Sequence, residues 1–262
     1  MTGFFFALAL AAYFLASLAY ILHFSYRRGY LSWVATGLVA LGFASHSVAL
    51  GLRIAHLTTL PVTGLYDFFS VFAWVVILAY GVAQITLGIQ QLGLFVVPIS
   101  FGALGAGLVL GGEALPQPEV FQSVWLSLHI AMAFLGGAIF VLLFGVGLMY
   151  LIQERQVKGK HFGTWFYRLP SLQVLDDVNR KALVLGFPIL TLGLVSGSLW
   201  AETARGSLLS WDPARTLPLV VLWGAYGVLF VARLTAGWRG KRAAFFSVLG
   251  FFGVLLTYLL HL

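Results

Sequence analysis

Apolar runs of about twenty residues, long enough to cross a bilayer as helices, recur along this chain and leave it few ways to fold. Eight can be drawn, at roughly 3–24, 31–53, 66–88, 93–111, 125–152, 181–201, 216–236 and 243–261. In the hydrocarbon core no water is at hand to satisfy backbone N–H and C=O groups, so a spanning segment must hydrogen-bond within itself or join a closed barrel. These runs are continuously apolar rather than alternating, which predicts helices. The expected fold is an all-α membrane protein, a single polytopic domain over 1–262 with about eight transmembrane helices. Composition agrees: 9% of residues are charged and the mean hydropathy is +0.98, whereas soluble domains carry about 25% charged residues. The lipid bilayer is the natural solvent for such a chain.

Orientation follows from the basic residues. One side receives Arg27, Arg28, Arg155, Lys158, Lys160, Arg168, Arg180, Lys181, Arg239, Lys241 and Arg242, with Arg233 close by; the other receives Arg53, Arg205 and Arg215. The positive-inside rule makes the first side cytoplasmic and puts both termini outside. A multi-pass protein of the cell inner (plasma) membrane is expected. The first apolar run does not read as a removable signal, because Arg27 and Arg28 follow it instead of preceding it. The net charge of +7 is carried in short loops, a topology signal that gives no reason to expect nucleic acid. The chain has no cysteine, which excludes disulfides, Cys-ligated zinc and thiol relays.

The longest inner loop, about 153–180, contains Ser171 as a helix N-cap and Leu172, Leu175 and Val178 at a spacing near three. Two readings stand: a short interfacial helix anchored by Trp165, Phe166 and Tyr167, or a solvated basic linker. On the outer side, the loop at about 200–215 carries Trp200 and Trp211-Asp212-Pro213 around glycine and serine. These tryptophans form either an apolar shelf or an ordinary aromatic belt. His129 falls about a turn inside the outer start of the fifth run, His261 ends the eighth at the same face, and His46 lies in the outer half of the second. A membrane histidine often only bonds a neighbouring helix. Two at one depth on distant helices also match a bis-imidazole haem site, which takes one ring nitrogen from each side of the iron.

Several segments resemble the cytochrome c assembly family, the CcsA/ResC/HemX branch of haem-handling proteins. Pro61-Val-Thr-Gly-Leu-Tyr-Asp67 is similar to its Pro-Val-Thr-Asn-Leu-Tyr-Glu segment, and Trp125-Leu-Ser-Leu-His129 with Leu135-Gly136 to its histidine-bearing fifth helix. The resemblance continues through Leu151–Arg155, Arg168–Leu172, Asp176, Gly186-Phe187-Pro188 to Trp200-Ala201, Gly206, Ser210–Pro213, Gly237-Trp-Arg-Gly240 and Arg242-Ala-Ala. It implies that haem b is held by the outer tryptophan-rich (WWD) segment, with His129 and His261 as axial ligands and metal-binding residues. Trp200, Trp211, Asp212 and Arg205 are then candidate haem contacts, Arg205 as a partner for a propionate. The chain departs from full synthase members at Arg205, Leu209 and Leu217 in place of tryptophans, at Ala214-Arg215, and at Val231 near an expected inner histidine. His46 is the candidate to stand in for that ligand.

The resemblance implies haem reception or presentation at the outer face for cytochrome c maturation. With no thiol of its own, the chain is expected to act not as an enzyme alone but as a possible subunit of a haem-attachment synthase. Its partners would be a CcsB/ResB-type membrane protein and apocytochrome c. The alternative is a HemX-like regulator of haem synthesis acting through a cytoplasmic partner of the 153–180 loop. A b-type electron carrier would need histidine pairs at two depths, and a transporter would need paired broken helices. Reporter fusions at residue 160 and within 237–242 should read cytoplasmic and those at 115 and 208 external. A cytoplasmic signal at 208 would remove the outer-face site.

Overall fold

A computed structural model describes residues 1–26, 28–57, 64–111, 123–160, 163–205 and 213–261, leaving out the side chains of 204–205, 213–215 and 257–261. Among the described residues, eight helices follow one another: α1 (Thr2–Tyr26), α2 (Gly29–Leu57), α3 (Leu65–Leu87), α4 (Gly93–Leu110), α5 (Val124–Lys158), α6 (Leu172–Arg205), α7 (Pro213–Thr235) and α8 (Lys241–His261), with a 3-10 turn at Gln90–Leu92. Among the described residues, seven helices are long and apolar enough to span a membrane, and α8 has 21 residues. The protein is an all-α membrane bundle. Its contacts divide it into two compact units, Met1–Pro116 and Gln117–Leu262.

In the first unit, α1 presents Phe6, Ala9, Tyr13, Ala16 and Tyr20 along one buried stripe at helical spacing. Gly42 lets α2 approach: a Cβ there would lie 2.6 Å from Tyr13 Cε1. Between apolar helices the hydrophobic effect offers little, so close packing and polar cross-links must hold them. The cross-links are numerous. Tyr20 and Tyr80 share a hydroxyl hydrogen bond of 2.7 Å, Trp74 Nε1 donates to Ser47 at 2.8 Å, and Gln84 Nε2 donates to Thr36 at 3.1 Å. Between the last turns of α2 and the first turn of α3, the Arg53 guanidinium grips the buried Asp67 carboxylate through Nε and through Nη2 at 2.9 Å. Arg53 also lies 4.8 Å over the Tyr66 ring.

In the second unit, α5 and α6 run to 35 and 34 residues. At 1.5 Å per residue each is ~50 Å long, well beyond a hydrocarbon core of ~30 Å. The sequence placed helix ends where charge begins. The structure corrects this, because Leu175 and Val178 stay buried against the bundle and the helix gains nothing by stopping. The expected interfacial helix is therefore the first turns of α6, with Ser171 Oγ accepting from Val174 N as its cap, and the 153–180 loop shrinks to 159–171.

Asp176 fastens this end. Its carboxylate takes hydrogen bonds from Arg233 Nη2 at 2.9 Å and Gly240 N at 2.8 Å, while Arg233 Nη2 also donates to the Asp176 carbonyl at 2.6 Å. Gly237 (φ +63°) and Gly240 (φ +69°) take left-handed backbone conformations that side chains disfavour. The turn they bracket stacks Trp238 on Phe246, centroids 6.0 Å apart. A chemical reason thus stands behind the Asp176, Arg233 and Gly-Trp-Arg-Gly positions.

Replacing Arg53 by leucine should leave Asp67 buried without its partner, at a cost of ~3–5 kcal/mol. Thermal unfolding in detergent should show that loss, and the Arg53→Leu, Asp67→Leu pair should recover most of it. Equal stability of the single variant and wild type would mean that the ion pair does not hold α2 to α3.

Candidate functional site

The candidate site starts at the N-terminus of α5, where Ser123 Oγ accepts a hydrogen bond from Trp125 N at 3.3 Å. His129 follows in the second turn. Helix α6 runs antiparallel beside α5 on a line of glycines. A Cβ at Gly186 would lie 2.8 Å from Ile139 Cγ2, one at Gly193 would lie 3.5 Å from Met132 Cβ, and one at Gly197 would lie 2.7 Å from His129 Nδ1. Missing side chains on α6 bring the two backbones together, as small residues do between membrane helices.

That approach places His129 Nδ1 2.7 Å from the Gly193 carbonyl oxygen. A carbonyl can only accept, so Nδ1 carries the proton. In the neutral ring the lone pair is then on Nε2. Metal-ligating histidines commonly have this arrangement, one nitrogen donating to a fixed acceptor and the other facing the metal. A haem iron needs a neutral imidazole nitrogen, and this tautomer of His129 carries its lone pair on Nε2.

Trp200 lies on the same face of α6, seven residues after Gly193 and three after Gly197, and is half-buried. The antiparallel register sets it level with Trp125, which is 41% exposed. Two indoles therefore stand about one turn beyond His129 on adjoining helices.

His261 is the last residue of α8. Helix α8 runs antiparallel to α5, with Gly147 against Ala244 and Phe144 against Phe251, ring centroids 4.4 Å apart. Continued at 1.5 Å per residue, these two contacts put the His261 backbone ~2–8 Å deeper along the axis than His129. The His261 ring and the Arg205 side chain fall outside the described side chains, and Trp211 and Asp212 lie outside the described residues.

His46 has a different setting. It belongs to the first unit and is fully buried, with Nε2 3.0 Å from Ser70 Oγ and Nδ1 3.4 Å from the Tyr13 hydroxyl. Both nitrogens are occupied by hydroxyls on α3 and α1, and Phe6 lies edge-on at 5.6 Å. The ring cross-links three helices. Sequence reasoning missed Gly193 and Gly197. Their i, i+4 spacing beside Trp200 was visible, but not the histidine they face.

Among proteins of known family, the one described as Cytochrome C assembly protein matches residues 2–261. The chain is similar to the cytochrome c biogenesis protein CcsA of Microcystis aeruginosa, at 28% identity over 84% of this chain and 82% of the relative. It is also similar to CcsA of Gloeobacter violaceus, at 26% over 96% and 90%, and of Guillardia theta, at 26% over 87% and 81%.

Proposed function

Because the chain belongs to the cytochrome c assembly protein family, we propose that it receives or presents haem at the outer membrane face for cytochrome c maturation. It is a multi-pass membrane protein of cytochrome c biogenesis. In the proposed site, haem b is held between His129 and His261. The observation that carries the proposal is the His129 Nδ1 to Gly193 carbonyl bond, which leaves the lone pair on the other ring nitrogen. Trp200 supplies apolar wall beside His129, and Trp211 is proposed to add to it. Arg205 and Asp212 are proposed to meet the propionate end, where a guanidinium can bind a carboxylate through two parallel hydrogen bonds.

When bound, haem supplies the vinyl groups and the redox-active iron, while the protein supplies ligation, orientation and charge. His129 gives a neutral nitrogen held in one orientation by α6, and the aromatic and apolar surroundings restrict water. The chain holds no cysteine, so the thiols of an attachment reaction must come from an apocytochrome c, and a CcsB/ResB-type membrane protein is the proposed partner. A HemX-like regulatory role is not favoured, since these three relatives are named for cytochrome c biogenesis.

Visible spectra of the detergent-purified protein test the ligands. Wild type should show low-spin haem when reduced, and His129→Ala or His261→Ala should abolish that signal, with partial return on adding imidazole. His23→Ala should change nothing. Low-spin haem surviving in the double His129→Ala, His261→Ala variant would reject this ligand pair.

Arg205→Glu should release haem readily and Arg205→Lys should lose part of it, with the axial spectrum of the remaining haem unchanged. Haem with esterified propionates should bind wild type and Arg205→Ala equally. Haem retention by Arg205→Glu equal to wild type would remove the propionate role.

A further inference from the structure

We infer that Gly193 and Gly197 form a seat on α6 that fixes the tautomer and orientation of His129, making Gly197 a positioning residue for the proposed ligand. The inference rests on the haem reading above for its functional meaning, but not for its geometry.

The seat has two parts. The Gly193 carbonyl accepts from His129 Nδ1 at 2.7 Å and also from Ser196 Oγ at 3.1 Å. It is thus an acceptor held on two sides. Gly197, one turn on, lies flat beneath the ring: a Cβ there would approach Nδ1 to 2.7 Å, Cε1 to 2.9 Å and Cγ to 3.4 Å. Three atoms of one edge of the imidazole therefore rest where any other residue would place its side chain. The contact allows the ring to reach the carbonyl of the preceding turn.

An imidazole that lost this carbonyl would lose the acceptor that holds its proton on Nδ1. Ligation asks for one nitrogen in one direction, and groups outside the ligand shell commonly set that direction. His46 shows the contrast within the same chain, since both of its nitrogens face hydroxyls that can donate or accept. A backbone carbonyl cannot change roles. It dictates Nδ1–H and so assigns ligation to Nε2.

The seat is not needed merely to pack α5 on α6. At Gly136, in the same interface, a Cβ would meet Ile189 Cγ2 at 3.8 Å and the Leu190 backbone at 4.0 Å, ordinary contact distances. Alanine fits there. At Gly197 the obstructing atoms belong to a side chain that can swing away, so alanine there should move the ring while leaving the helices in place.

Nitrogen-15 NMR of histidine-labelled, haem-free protein in detergent tests the seat directly. In wild type and Gly136→Ala, the His129 signals should be those of the Nδ1–H tautomer. In Gly197→Ala they should shift to a mixture or to Nε2–H, with circular dichroism unchanged. On haem loading, Gly197→Ala should lose most of its low-spin spectrum, with partial recovery on adding imidazole, and Gly136→Ala should match wild type. An unchanged His129 tautomer in Gly197→Ala, or an Nε2–H tautomer in wild type, would overturn the seat. The haem reading fails by a different result, low-spin haem persisting without His129 and His261, and the tautomer shift would still be readable then. Should Gly197→Ala fail to fold, Gly197→Ser provides a second reading. Its His129 signals should move as for alanine, and signals at the wild-type position would equally overturn the seat.

Discussion

The second unit depends on how closely α6 can approach α5. Two-thirds of the apolar stretch of α5 is buried (67%), against 22% for α6 and for α7. From Gly136 to Leu143 every residue of α5 is buried. In a solvent as apolar as the side chains themselves, that arrangement is held by contact and by polar cross-links rather than by exclusion from water. Gly186 supplies the close contact against Ile139, and the space that Gly197 leaves lets the His129 ring reach the Gly193 carbonyl.

Polar groups are expensive in a membrane interior and tend to be paired. The described residues follow this in two ways. Arg53 pairs with Asp67 to join α2 to α3, and Asp176 takes Arg233 and the Gly240 N–H to join α6 to the end of α7 and the start of α8. Hydroxyl and amide links, such as Asn179 Nδ2 to Ser247 Oγ at 2.7 Å, tie helices within each unit. The family-like segments ending in Asp67 and containing Gly237 to Gly240 thus have structural reasons that need no ligand.

The helices were legible because hydropathy and backbone satisfaction leave no alternative for a run of about twenty apolar residues. Their ends were less so. Glu154, Arg155 and Lys158 close the apolar run of α5, yet the helix continues through them, with Lys158 paired to Glu154 at 2.7 Å one turn away. Charge marks where the bilayer ends, and helix packing decides where the helix ends. His129 was legible as a candidate from its depth, and its preferred nitrogen was not. That depends on a carbonyl 64 residues away, whose approach depends in turn on the side chain that Gly197 lacks. His46 was a candidate only as a stand-in for an inner histidine that the resemblance implied, and its partners Tyr13 and Ser70, on other helices, were not legible.

The departures from full synthase members gain a physical sense from where they sit. Val231, near the position of an expected inner histidine, is 55% exposed, and Leu217, in place of a tryptophan, is 62% exposed. Both lie on the outward side of α7, where an apolar aliphatic residue suits lipid and a histidine would need a partner. Losing such residues leaves the interior of the unit undisturbed. His129 is different, because its ring fills space that Gly197 vacates and its nitrogen satisfies the Gly193 carbonyl. A substitution there would open a gap between α5 and α6 and remove one of the donors to that carbonyl, which Ser196 Oγ also meets at 3.1 Å. His129 is thus fixed by the packing of α5 on α6, whereas Leu217 and Val231 lie where that packing places no demand on them.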